Sequence, residues 1–219
     1  GVTPEPGWVG GPIDLDWEGA PPAWLDEELQ ECLGRLDWGP AARWLGPQER
    51  LGGGNSFYPR ATLASLRGFD TRLGRKNNLL LSGEETQLQR RLEAAGGRLY
   101  YHPGVRMLHS VPVQRLQPRF FYERYYWGGI TDEFIRRTLA CRAGAIAGLP
   151  SAKAGQRDGG GSVAARLVRH GLHAAGWGTW SECVRGRIYW AYVAGRMAGT
   201  WKWATNPTSR ADARESLRA

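Results

Sequence analysis

At 219 residues the chain is long enough for one sizeable domain, or a domain with an appendage, and can bury a core without disulfide or metal staples. Its three cysteines, Cys32, Cys141 and Cys183, are far apart and lack Cys-x-x-Cys or Cys/His spacing; this argues against a disulfide framework or a zinc site and makes a reducing cytoplasm the expected compartment. Lys and Arg number 29 against 21 Asp and Glu, and the resulting +8 is carried mostly by arginine, which admits a nucleotide diphosphate, an anionic membrane surface or nucleic acid as partner without choosing among them.

The proline-rich start, Gly1 to Pro6, has neither the basic region nor the apolar run of a signal peptide, and an opening glycine suggests a fragment or a processed product. Trp8 to Ile13 reads as a short strand and the acidic, proline-rich Asp14 to Pro22 as a loop. Leu25, Leu29, Leu33 and Leu36 recur at helical spacing behind Pro21-Pro22, with Asp26, Glu27 and Glu28 in the first turn, where carboxylates suit the positive end of the helix dipole. Gly52-Gly53-Gly54-Asn55 leads into a short strand, and Pro59 opens a helix over Ala61 to Leu66 that Gly68-Phe69-Asp70 closes. After a loop from Thr71 to Ser82, a helix begins at Gly83-Glu84-Glu85-Thr86, places Leu88, Leu92 and Ala95 on one face and stops at Gly96-Gly97.

Two short strands follow, Arg98 to His102 and Val105 to His109, and then a helical region from about Gln117 to Ala147, broken by Gly128-Gly129. Ser151 to Ser162 is the clearest linker. Beyond it lie helices over about Val163 to Ala175 and Ser181 to Trp203, then a polar tail from Asn206 expected to be disordered. There is no internal repeat. The most apolar run, Ile188 to Gly195, is bounded by Arg187 and Arg196 and is too short to span a bilayer, which needs ~18 or more apolar residues.

Two adjacent carboxylates at a helix start and a histidine at a strand end suggest a site. They stand in an ordered set: Val9-Gly10-Gly11, Pro22-Ala23-Trp24-Leu25, Gly53-Gly54-Asn55-Ser56, Gly68-Phe69-Asp70, Gly83-Glu84-Glu85-Thr86 and the Val105 to His109 strand. As a set, covering about residues 8 to 129, these resemble the C-terminal half of family 2 glycosyltransferases with the GT-A fold. The resemblance implies an α/β fold: residues 1–150 as the C-terminal, acceptor-binding half of a Rossmann-like GT-A domain, 151–162 as linker, 163–205 as an appended helical extension and 206–219 as tail. The first, nucleotide-binding half of such an enzyme is not found in these residues.

By that resemblance, Glu85 takes the place of the second carboxylate of the usual Glu-Asp pair, the general base that deprotonates the acceptor hydroxyl, with Glu84 as the alternative base. His109 matches the histidine that in many members completes a Mn²⁺ or Mg²⁺ site on the diphosphate. Gly53, Gly54 and Asn55 match the segment lining the donor sugar and the acceptor floor, and Arg115, Arg119 and Arg124 a basic segment over the diphosphate. Each has a plainer reading beside it: helix-start acids, a core histidine, a tight turn, a solvated helix face. Asp14-Leu15-Asp16 has the letters of the metal-binding Asp-x-Asp but follows the Val-Gly-Gly strand instead of preceding it, and is read as a coincidence.

The implied activity is inverting, metal-assisted transfer of a sugar from a nucleotide-sugar donor to a carbohydrate or glycolipid acceptor, in polysaccharide or glycoconjugate synthesis. The alternative is a non-catalytic binding module of the same shape, docking on a membrane or a partner. The aromatic and basic stretch 181–203 suits peripheral contact with the inner face of a plasma membrane. Nucleic-acid binding has only the net charge and the aromatics behind it, with no motif.

Overall fold

A computed structural model describes residues 5–75, 79–143 and 163–205; the expected linker 151–162 and tail 206–219 lie outside them. The chain is mixed α/β with a small mixed sheet. It divides into two compact units, one of residues 1–73 and 83–116, the other of residues 74–82 and 117–219.

Among the described residues, the first unit carries all the strands. β1 (Trp8–Gly10) is central in a four-stranded sheet, parallel to β5 (Leu99–Tyr101) and antiparallel to β4 (Ser56–Phe57), while β3 (Arg43–Trp44) closes the far edge against β5. β2 (Ile13–Trp17) and β6 (Met107–Val111) form a separate parallel pair. The single strand expected over Trp8 to Ile13 is therefore two, and Asp14 to Trp17 is strand instead of loop. The break falls at Gly11-Pro12: a side chain at Gly11 would lie 1.9 Å from the Val105 carbonyl oxygen, and Pro12 has no N–H for a ladder.

α1 (Glu27–Cys32) begins as expected, with the Asp26 carboxylate accepting from the Leu29 N–H. It is shorter than the leucine spacing predicts. Gly34 adopts φ +104°, the Arg35 N–H reaches back to the Gln30 carbonyl, and this left-handed stop leaves Leu36 extended, paired with Ile13. α2 (Arg60–Ser65) and α3 (Glu84–Ala94) lie close to their expected spans. Leu88 and Leu92 of α3 pack with Trp8, Leu51, Leu99 and Tyr101 into the core of this unit.

α3 also buries Gln87, Gln89 and Arg91. Gln89 pairs with Leu51 as a strand would, accepting from its N–H at 3.0 Å and donating to its carbonyl at 2.8 Å. Arg91 donates to the Leu66 and Gly68 carbonyls and so satisfies the end of α2.

The second unit is helical. α4 (Pro118–Ala143) runs through Gly128-Gly129 without interruption, against the break expected there. Gly129 is a contact residue: a Cβ on it would meet the Tyr192 carbonyl oxygen at 2.4 Å, and a Cβ on Gly195 would meet the Tyr126 carbonyl oxygen at 1.9 Å. The absent side chains let α4 and α6 (Trp180–Thr205) approach backbone to backbone. Beside this crossing the buried Glu133 receives Arg136 and Arg137 from its own helix and Arg196 from α6 at 2.9 Å. α5 (Val163–Ala174) packs on α6 at Gly186, where His170 stacks on Tyr189 with ring centroids 4.3 Å apart. Thr179 and Glu182 form a reciprocal cap at the start of α6.

The glycine contact predicts that Gly195→Ala, though it raises helix propensity, destabilises the protein by about 1–3 kcal/mol through overpacking, read as a lowered Tm. The Glu133 cluster predicts an acid response. Burial pushes its carboxyl up, but the Arg136 and Arg137 hydrogen bonds and charges outweigh burial and hold it at about 2, below an ordinary glutamate. With the folded value depressed, its contribution is complete above the ordinary range and is lost as pH falls from about 4.5 toward 2. Glu133→Gln strands three guanidinium groups and is expected to cost about 3 kcal/mol at pH 7, with a smaller difference from the unaltered protein at pH 3, measured by denaturant titration at both pH values.

Candidate functional site

The candidate base sits where a loop meets a helix start. Gly83 adopts φ +88° and its carbonyl accepts the Gln87 N–H, turning the chain into α3 so that Glu84 and Glu85 occupy the first turn, at the positive end of the helix dipole. Gly53 lies directly against Glu85: a Cβ on Gly53 would meet Glu85 Cγ at 3.2 Å, Cβ at 3.4 Å and Cδ at 3.5 Å. Gly53 and Gly54 are exposed and Glu85 is half-buried, so the stem of a reachable carboxylate lies on open backbone. Glu84 differs. Its Oε2 is buried and has no hydrogen-bond partner among the described residues.

Two clamps hold the glycine loop. Gln89 pins Leu51 at its start, and Asn55 pins its end, donating both amide protons, to the Pro12 carbonyl at 3.0 Å and the Val105 carbonyl at 2.7 Å. Asn55 is buried, and its donors are consumed by backbone. Its geometry is that of a brace between the loop, the break after β1 and the approach to β6.

The Gly-Phe-Asp turn fixes the other side of α3. Asp70 accepts both Arg72 Nε and Nη2, at 2.9 and 2.7 Å, and Gln87 Nε2 at 3.1 Å. Burial pushes the Asp70 carboxyl up, but the Arg72 side-chain and backbone hydrogen bonds outweigh this and hold it below its ordinary value.

His109 lies on β6, opposite Leu15 of β2. The two strands alternate, with Ile13 and Val111 buried and Asp16, Leu108 and Ser110 exposed, so Asp14 and Asp16 point away from the face that carries His109. Asp14 pairs with Arg106 on that outer face. On the inner face, Met107 stands beside Gly54, where a Cβ would meet Met107 Cε at 3.1 Å, and His109 is one strand repeat further, ~7 Å along. The neighbour of its Nε2 is a cation, Arg115 Nη1 at 3.4 Å.

Among the described residues no three of His, Cys, Asp and Glu gather as a metal site. One imidazole beside a guanidinium does not fit a divalent cation, whose sites of this kind draw on carboxylates.

The three arginines expected as one segment are divided. Arg115 belongs to a 3₁₀ turn (Val113–Leu116) in the first unit, and Arg119 and Arg124 belong to α4 in the second. Arg119 is exposed and pairs with Glu123 one turn on at 2.9 Å. Arg124 donates to Ser82 Oγ at 2.9 Å. Sequence reasoning missed Gln89, Arg91 and the Asp70–Arg72–Gln87 network; buried amides and guanidiniums inside a helix carry no periodic signal, and only Asp70 stood in a motif.

Asn55→Ala takes the donor from the Val105 carbonyl and one of two donors from the Pro12 carbonyl, which keeps the Met107 N–H, and is expected to lower stability by about 1–3 kcal/mol, read by thermal or denaturant unfolding. In comparisons with known proteins, no family model, no curated protein and no solved structure matches this chain.

Proposed function

We propose that the first unit supplies the acceptor side and the catalytic base of a GT-A-type glycosyl transfer, with Glu85 as the base. The observation that carries this reading is the seating of Glu85 on the exposed backbone of Gly53, at the mouth of a loop held by Gln89 and Asn55. The buried oxygen of Glu84 is poorly placed to receive an acceptor, which favours Glu85 of the two. In the transfer, the Glu85 carboxylate takes the proton of an acceptor hydroxyl, and the hydroxyl oxygen bonds to the anomeric carbon from the face opposite the diphosphate. The bond from that carbon to the phosphate oxygen breaks, and its electron pair leaves with the nucleoside diphosphate. Arg115, held beside His109, supplies positive charge on the same unit.

A divalent cation enters this reading only with donors from outside the described residues, since this chain contributes one ring nitrogen to it. The His109–Arg115 contact and the outward Asp14 and Asp16 favour the second reading, a non-catalytic module that binds a carbohydrate or a nucleotide-sugar.

In the complete natural polypeptide, nucleoside diphosphate release from uridine and guanosine diphosphate sugars is expected to fall by roughly 10²–10⁴ in kcat on Glu85→Gln, with KM little changed. Turnover near that of the unaltered protein would sink the assignment. Calorimetric binding of a nucleotide-sugar without any turnover selects the module.

A further inference from the structure

The helical unit exposes a large apolar surface with a consistent charge. Trp177, Trp180, Met197 and Trp201 are each 63–70 % exposed, and Trp190 adds to them from the middle of α6. Trp190, Met197 and Trp201 stand at i, i+7 and i+11, one stripe along the helix. Gly195 and Gly199, which meet α4, lie on the opposite side at 100° per residue, so packing against α4 does not consume the stripe. Single exposed apolar residues are ordinary; four tryptophans and a methionine on one short hairpin are not.

The charge around them selects the occupant. Residues 163–205 hold six Lys and Arg against one acid, Glu182, and that carboxylate is engaged in the cap with Thr179. Arg187 and Lys202 flank the stripe and are exposed. A second copy would bring the same excess of positive charge onto itself, which opposes self-association through this face. An anionic lipid surface complements the charge, and tryptophan is the side chain that prefers the boundary between headgroup and acyl chain. No helix among the described residues is long and apolar enough to cross a membrane, and each half of α6 is interrupted by charge, the pattern of a helix lying in the interface.

We infer that the α5–α6 hairpin is a docking surface for anionic lipid bilayers, inserting Trp190, Met197 and Trp201 at the interface while Arg187 and Lys202 meet the headgroups. This inference is independent of the transfer chemistry.

The test is co-sedimentation of the intact protein with vesicles of phosphatidylcholine alone or with about one third phosphatidylglycerol, at low and high salt. Binding is expected to the anionic vesicles, to weaken with salt, and to fall roughly tenfold or more in the double variant Met197→Ser/Trp201→Ser. Both positions are exposed, so the variant should keep its circular dichroism and Tm. The control Phe57→Ser/Leu108→Ser, which removes exposed apolar side chains of the first unit, is expected to bind as the unaltered protein does. No binding to anionic vesicles at low salt overturns the inference, as does equal binding by the double variant. So does a concentration-dependent dimer without lipid that the double variant abolishes, which would assign the stripe to a second copy.

Discussion

The site depends on a side chain that behaves as backbone. Gln89 offers Leu51 one acceptor and one donor, completing both of its backbone hydrogen bonds from within a helix. Leu51 is itself in the core with Trp8, Leu88 and Leu99. The apolar packing and the amide pair therefore fix the same point, and the glycines that follow inherit a defined position over the start of α3. In a buried setting such an amide is effective only when both its groups are satisfied, because an orphaned one costs ~1–3 kcal/mol. Asn55 repeats the device at the other end of the glycine loop, with its two donors spent on Pro12 and Val105. Between these clamps, backbone flexibility in the triple glycine has little room to blur the approach of Gly53 to Glu85.

The helical unit uses the reverse strategy. Its closest contact has no side chain at all: Gly129 and Gly195 bring two helices together until backbone meets backbone. Dispersion at that distance is favourable, and each glycine notch has no room for a side chain. The polar pairs beside it set the register. Arg196 and Tyr192 of α6 reach Glu133 and Asp132 of α4, neighbours in sequence, at 2.9 and 2.8 Å. Small residues supply proximity, and charge supplies position.

Much of the apolar framework was legible. Leu88 and Leu92 fall at helical spacing, Gly96-Gly97 stops that helix, and all three are where the spacing placed them. The failures have physical causes of two kinds. Some lie in reading glycine by habit: Gly128-Gly129 looked like a break, but the helix runs through both and Gly129 is a contact, whereas Gly34, inside an apparently unbroken leucine repeat, is the true stop. A glycine's role depends on what faces it, which a single sequence does not display. The rest concern the partners of polar residues. Asn55 stood in a motif that suggested a ligand, and its partners, Pro12 and Val105, are distant in sequence and contribute only carbonyl groups that every residue has. His109 was legible as a strand residue, but the cation beside it comes from a turn whose place depends on how the chain leaves β6.

Glu85 of the Gly-Glu-Glu-Thr turn has a structural counterpart in Gly53. The additional methylene, Cγ, is the atom closest to where a side chain on Gly53 would begin. Any other residue at 53 would press on that methylene at 3.2 Å, tighter than an ordinary contact, and would turn the carboxylate aside. An aspartate at 85 would put its carboxyl carbon where that methylene lies and hold its oxygens closer to the helix. The glutamate and the bare backbone fit as a pair: the glycine provides the room in which the methylene lies. Residues 53 and 85 are 32 apart in sequence and adjacent in the fold.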